Sequence, residues 1–264
     1  VFKIFPPKNE ITSTLEAFVS MNEKKINQEL IEINYPHIPK QTILQNSTSK
    51  LVKLDIQTKG KNIGYIKGAG DEVGTNLENL GFKVTTIIPT EIALDKLQNF
   101  DAIVLGIRAF NVVEELAFKN KVLFDYVNNG GNLIVQYNTN GRLVTKDIAP
   151  FDLKISRDRV TNENAKVTFL APNHPVLNTP NKITSKDFEG WVQEQGLYYP
   201  DEFGNEFTAI LEANDEGETP QKGALLIAKY GKGNYIYTGL SFFRELPEGV
   251  SGAYRLLANI IALE

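Results

Sequence analysis

The stretch from Tyr126 to Asn140, YVNNGGNLIVQYNTN, leaves the chain few choices of fold. An amphipathic run stops at Asn129-Gly130-Gly131, an apolar segment Asn132–Gln136 follows, and a polar turn closes it. Glycine takes positive φ without a Cβ clash, so a glycine pair after an amphipathic run marks a helix C-terminus. A helix that feeds a short, almost wholly apolar strand belongs to a parallel sheet buried on both faces. In such sheets ligands gather where the carboxyl ends of strands meet their loops. That places Gln136, Tyr137, Asn138 and Thr139 at a candidate site where a nucleophile is expected. The residues offered there are amides, a phenol and a hydroxyl, and the chain of 264 residues contains no cysteine.

The pattern before this stretch agrees. From Lys61 onward the sequence reads strand (62–67), tight turn (Gly68-Ala69-Gly70-Asp71), helix (73–80), strand (82–88), short helix (90–98) and buried strand (101–106). Strands alternating with helices at this spacing imply right-handed crossovers and a doubly wound sheet. After Asn140 the alternation breaks, and residues 142–222 read as an irregular insertion of short strands, proline turns and an acidic loop at 214–218. A hairpin around Gly231-Lys232-Gly233 and an amphipathic helix over 251–263 close the chain. Residues 1–57 differ in texture: 25–35 and 51–56 alternate with period two, and Pro36 and Pro39 remove backbone donors. This part is expected to be a β-rich segment, the end of an upstream β-sandwich, plus a connector to an α/β domain at 58–264.

Several function classes are disfavoured by composition. The net charge of −4 and scattered basic residues argue against a nucleic-acid partner. No apolar run approaches the length needed to span a bilayer, so no membrane partner is expected. The chain opens Val1-Phe2-Lys3, without an initiator methionine or signal peptide, and is read as an excised piece or a mature form.

The candidate sites have competing readings. Gly68-Ala69-Gly70-Asp71 after a strand suggests a phosphate loop, yet Asp71 and Glu72 would repel an anion, so Asp71 is expected to cap the next helix. His37 and His174 each stand beside proline without the close ligand neighbours of a zinc site, and neither a metal nor another cofactor is expected. Thr139 and Ser241 are hydroxyls after strands, outside any GxSxG elbow, and are read as hydrogen-bonded loop residues. A polar and aromatic group stands out instead. Arg108, Phe110 and Asn111 follow one strand, Gln136, Tyr137 and Asn138 another, and Phe243, Arg244 and Glu245 a third. Asp187, Trp191 and Glu194 lie within DFEGWVQEQ, which holds the only tryptophan. Flat rings beside amides and carboxylates suit a sugar or other polyol. The alternative is that Trp191 and Phe243 staple the insertion to the sheet, with Arg108 in an internal ion pair with Glu194 or Glu245.

The segments NIGYIKGAGDEV (62–73), DAIVLGIRAFN (101–111), YVNNGGNLIVQYNT (126–139), ISRDRVT (155–161), PNHPVLNTPNKIT (172–184), DFEGWVQEQGLYYP (187–200) and 230–260 carry a resemblance. Over about residues 31–264 the sequence resembles the C-terminal region of large bacterial LmbE-like (PIG-L family) deacetylases. That region resembles a class I glutamine amidotransferase-like domain of the ThuA-like group. The resemblance implies a flavodoxin-like doubly wound parallel sheet, a secreted or periplasmic location, and a parent enzyme that deacetylates N-acetylglucosamine-type substrates. The family's His-Pro-Asp-Asp signature has no counterpart here, since His174-Pro175 is followed by Val176-Leu177. The amidotransferase nucleophile would align near Tyr137, where cysteine is missing. The expectation is therefore a non-catalytic accessory domain that binds glycan or docks to the upstream deacetylase domain. The alternative is a ThuA-like hydrolase or isomerase acting on a sugar with Glu194 or Glu245 as base.

Overall fold

The computed structural model describes residues 3–264. It divides into two compact units, Val1–Asp55 and Ile56–Glu264. In the first, β1 (Ile11–Glu16) pairs antiparallel with β6 (Thr48–Lys53), β2 (Val19–Met21) with β3 (Lys24–Ile26), and β4 (Gln28–Ile33) with β5 (Gln41–Asn46). The alternating run at 25–35 is thus two strands divided at Asn27. Its carbonyl accepts the Ser47 amide at 2.7 Å, and its side chain donates to Glu16 at 2.6 Å. None of the described residues before Ile56 is buried, so alternation here marks strand pairing without a core.

The second unit is built on a seven-stranded sheet. In chain order its elements are β7 (Asn62–Ile66), α1 (Val73–Asn79), β8 (Lys83–Thr86), α2 (Leu94–Leu97), β9 (Ala102–Leu105), α3 (Ala109–Val112), α4 (Leu116–Asn128) and β10 (Asn132–Gln136). The insertion contributes β11 (Leu153–Val160), β12 (Thr168–Phe169), β13 (Gly196–Phe203), β14 (Phe207–Ala209) and β15 (Leu211–Glu212). Then come β16 (Leu225–Tyr230), β17 (Gly233–Thr238), α5 (Phe242–Glu245) and α6 (Ser251–Ile261). Sheet order is β14-β16-β17-β10-β9-β7-β8. The β17, β10, β9, β7 and β8 strands run parallel; β16 runs antiparallel to β17, and β14 antiparallel to β16. The sheet is therefore flavodoxin-like and mostly parallel; its reversed edge comes from the tight turn at Gly231-Lys232, since parallel neighbours need a long crossover.

The central strand β10 is buried along its whole length, as its apolar run predicts. Alternate residues serve opposite layers. Leu133 and Val135 join the core with Leu123, Phe124 and Val127 of α4 and Leu97 of α2. Asn132, on the other face, donates to the carbonyls of Ile261 and Leu263 at the end of α6. On that same side Tyr254 of α6 donates to Asn76 of α1. Helices therefore cover both faces, the doubly wound arrangement. Where the sequence suggests one helix over 90–98, a 3-10 turn (Pro89–Glu91) precedes the single-turn α2. Helix α4 ends as read, with Gly130 at φ 115°.

Candidate functional site

The carboxyl edge of the sheet brings together the loops after β7, β9, β10 and β17. After β10, Tyr137 lies 7 % exposed and Asn138 is fully buried. Asn138 accepts the Phe110 amide at 2.8 Å through its side-chain oxygen and donates to the Gln136 carbonyl at 3.0 Å. Asn111 accepts the Thr139 amide at 2.9 Å and donates to the carbonyls of Thr139 and Gly141. These amides sew the loop after β10 to α3, which explains their position without a ligand. Thr139 itself donates locally to Gly141.

Arg108 carries the local strain. Its φ of 57° is left-handed, a conformation that costs a non-glycine residue about 1 kcal/mol. Its amide donates to the Tyr137 carbonyl at 2.8 Å, tying the ends of β9 and β10 together. The Arg108 Nε and the Gln136 Oε1 are buried without hydrogen-bond partners among the described residues.

Tyr137 forms a ring cluster with two neighbours. It stacks on Tyr198 (6.0 Å between centroids, 8° between planes) and packs at 5.3 Å against Phe243. Burial pushes its phenol up, and the nearby guanidinium groups of Arg108 and Arg244 pull it back only in part. Its hydroxyl is thus held as a neutral phenol, and among the described residues no base is hydrogen-bonded to it.

The carboxylates offered as bases are engaged. Glu194 accepts from Arg244 at 3.0 and 3.2 Å and faces Arg159 at 3.8 Å, while Arg244 also donates to Gln193 and lies over the Phe243 ring. Glu245 is fully buried. It accepts the Val192 amide at 2.9 Å and the Ser241 hydroxyl at 3.1 Å, and burial raises its carboxyl to about 7. The single proton of the Ser241 hydroxyl has three acceptors within reach, the Glu194 carbonyl at 2.5 Å, the Gln195 carbonyl at 3.1 Å and this Glu245 oxygen.

Asp187 and Trp191 belong elsewhere. Asp187 closes a capping box with Thr184 and pairs with Arg255 at 2.9 Å. Trp191, 3 % exposed, donates its indole N–H to the Asp187 carbonyl, stacks on Phe188 at 5.5 Å and leans on Phe242. The expected sugar platform is thus a staple of the insertion, because its ring faces are spent on packing. The expected ion pair of Arg108 with Glu194 or Glu245 is replaced by that of Arg244 with Glu194.

The open space lies beside Phe243. A hollow of about 490 Å³ is walled by Phe243, Tyr65 and the loop from Lys67 to Glu72. A second, of about 260 Å³, also borders Tyr65, Lys67, Asp71 and Glu72 and is otherwise lined by Gly74, Thr75, Glu78, Val84 and Thr86. Tyr137 sits one ring behind this wall. The loop is shaped by Asp71, whose carboxylate accepts the Val73 amide at 2.9 Å, the Ile107 amide at 2.9 Å and the Tyr65 hydroxyl. Asp71 thereby caps the start of α1, as read, although it stands one residue before Glu72, the formal N-cap. Its hold on the end of β9 and its bond to Tyr65 leave no mark in a single sequence. Gly68 is required by proximity, since a Cβ there would meet the Ile107 carbonyl oxygen at 2.0 Å, and Gly70 by its φ of 112°. A larger cleft of about 680 Å³ lies against α4 and residues 146–153. Its rings Phe151 and Tyr230 meet edge to face in the stack that continues to Phe207, so it reads as a packing cleft.

His174 accepts the Val176 amide through Nδ1 at 3.2 Å, and His37 packs on Tyr35 in the first unit. Among the described residues no group of three or more His, Cys, Asp or Glu is placed to hold a metal ion, and no helix is long and apolar enough to cross a membrane.

No protein-family model and no curated protein matches the sequence. Among solved structures, the chain is similar to one described as a cytoplasmic protein from Salmonella typhimurium. That pair has a TM-score of 0.51 and 13% identity, covering 95% of this chain and 94% of the other. This likeness is one of fold. A putative ThuA-like protein from Bacteroides uniformis aligns at a TM-score of 0.49 and 13% identity, over 76% of this chain and 89% of its own.

Proposed function

We propose that the second unit is a non-catalytic, ThuA-like module that binds a saccharide at the carboxyl edge of its sheet, in the hollow between the Lys67–Glu72 loop and Phe243. The observation that carries this reading is the pairing of an open, aromatic-walled hollow with a strand end whose reactive position is Tyr137. A sugar ring presents CH faces to Phe243 and hydroxyls to the polar loop, which is the division of labour expected of such pockets. Arg108, Arg244 and Glu194 support the wall from behind through Tyr137 and Phe243. The sequence resemblance over about 31–264 adds the finer reading: an accessory domain of a LmbE-like deacetylase acting on N-acetylglucosamine-type substrates.

The competing reading, a ThuA-like hydrolase or isomerase with Glu194 or Glu245 as base, is less well supported. Glu194 is committed to arginines, and Glu245 turns its oxygens to Val192 and Ser241. Calorimetric titration with a panel of oligosaccharides tests the proposal. Binding that is lost in Phe243→Ala and kept in Trp191→Phe is expected. Absence of binding to any saccharide, or turnover of one that depends on Glu194, overturns it.

A further inference from the structure

Every residue of the segment 192–195 is tied to the turn 241–245. The Val192 amide donates to Glu245, and the Gln193 side-chain oxygen accepts from Arg244. Glu194 accepts from Arg244 through its carboxylate and from Ser241 through its carbonyl, and the Gln195 carbonyl accepts the Ser241 amide at 3.0 Å. These bonds hold a strained strap, since Gln193 stands at φ 67°, a left-handed backbone that costs about 1 kcal/mol. Counting hydrogens at its centre identifies the state. Ser241 Oγ lies 2.5 Å from the Glu194 carbonyl oxygen and 3.1 Å from Glu245 Oε1. A carbonyl has no hydrogen to give, so the short contact takes the Ser241 proton, and a bond to Glu245 then requires a proton on the carboxyl. With that proton each group is satisfied: Glu245 donates to Ser241, Ser241 to Glu194, and the Val192 amide to the second carboxyl oxygen at 2.9 Å. Without it one hydroxyl faces two acceptors. The buried carboxylate wins, because a charge-assisted hydrogen bond is about twice as strong as a neutral one, and the Glu194 carbonyl loses its donor.

We propose that Glu245 and Ser241 form a proton-operated latch, which closes the 192–195 strap on α5 while the carboxyl keeps its proton and releases Glu194 when the proton leaves. The surrounding charges permit this. Arg244 favours the ionised carboxyl and Glu248 opposes it, so the two offset each other, and burial places the exchange near neutrality, at about 7. Across the strap the facing carboxylate is Glu194, already bonded to Arg244. On α6, Arg255 pairs with Asp187 of the turn Ser185–Phe188, and the Tyr254 hydroxyl bonds Asn76 and the Leu246 carbonyl. Once Glu245 ionises, Arg244 stands beside two carboxylates with one guanidinium, and its hold on Glu194 slackens. Arg244 lies 4.8 Å over the Phe243 ring, so the change reaches the wall of the hollow.

The test is an NMR titration of the full chain, with no saccharide added, from about pH 5 to about pH 8.5. The side-chain carboxyl carbon of Glu245, the backbone carbonyl carbon of Glu194, the Arg244 Nε–H and the Phe243 ring protons should shift together about one midpoint near 7. The amides of β10 should stay in place throughout. In Glu245→Gln the new amide donates to Ser241 as the protonated acid does, so the Glu194, Arg244 and Phe243 signals should remain at their acid positions at every pH. Ser241→Ala should leave Glu245 titrating while the Glu194 carbonyl no longer follows it. Titration of Glu245 near the ordinary 4.5 overturns the latch. So does a Glu194 or Phe243 signal that stays flat while Glu245 titrates, or one that still moves in Glu245→Gln. Movement of the β10 amides in step with Glu245 also overturns it, because the whole sheet and not the strap would then be opening. Each outcome is read without ligand, so the latch and the saccharide reading stand or fall separately.

Discussion

Glu245 gives the most quantitative test of how the insertion is held to the sheet. Its carboxyl is fully buried and rises from 4.5 to about 7 because burial penalises the ionised form more than Val192, Ser241 and Arg244 favour it. Glu248 adds a like charge and pushes the same way. At about 1.4 kcal/mol for each tenfold in the protonation equilibrium, ionisation costs the folded state about 3 kcal/mol relative to the unfolded chain. Below pH 4.5 the group is protonated in both states and the full stability is present. As pH rises to about 7 the unfolded chain ionises first, so unfolding releases a proton and stability falls; above about 7 the loss is complete. Glu245→Gln removes the titration but keeps an oxygen for the Val192 amide. Urea unfolding of both proteins across this range should show the variant gaining on the natural chain as pH rises, by up to about 3 kcal/mol, with a plateau above neutrality. A difference that is flat with pH, or that grows in favour of the natural chain, refutes the reasoning.

Three further outcomes follow from the packing. Trp191→Ala should cost about 3–5 kcal/mol in urea unfolding, since it empties a buried site between Phe188 and Phe242. In the natural protein its emission should be blue-shifted and unresponsive to bound sugar. Asn138→Ala leaves the buried Phe110 amide without its acceptor and should cost about 1–3 kcal/mol by the same assay. Arg108→Gly should be more stable than Arg108→Ala by roughly 1 kcal/mol, because only glycine occupies the left-handed region freely.

What the sequence displayed and what it hid divide along physical lines. The buried strand Asn132–Gln136 and the helix stop at Gly130 were legible because burial on both faces and positive φ restrict residue type locally. The reversal of β16 was legible as a hairpin around a glycine turn, but the place of β14 beside it was not, since that pairing depends on an insertion without periodicity. The meeting of Arg108, Tyr137, Phe243 and Arg244 could be guessed from strand ends alone. Trp191 could not be assigned: a tryptophan that stacks on Phe188 and one that stacks on a sugar have the same local sequence. Nor could the hollow be placed, because Asp71 and Phe243 face it from positions 172 residues apart in a chain of 264 (243 minus 71).

The central claim is that the carboxyl edge of this sheet holds a ligand and does not transform one. Amide NMR of the full chain during titration with the tightest-binding oligosaccharide of the calorimetric panel addresses it most directly. The account predicts saturable shifts at Gly68, Ala69, Gly70 and Glu72 and at the Phe243 ring, an unmoved Trp191 indole, and an unchanged oligomer at the end. Shifts confined to other surfaces, or a converted sugar in the tube, would contradict it.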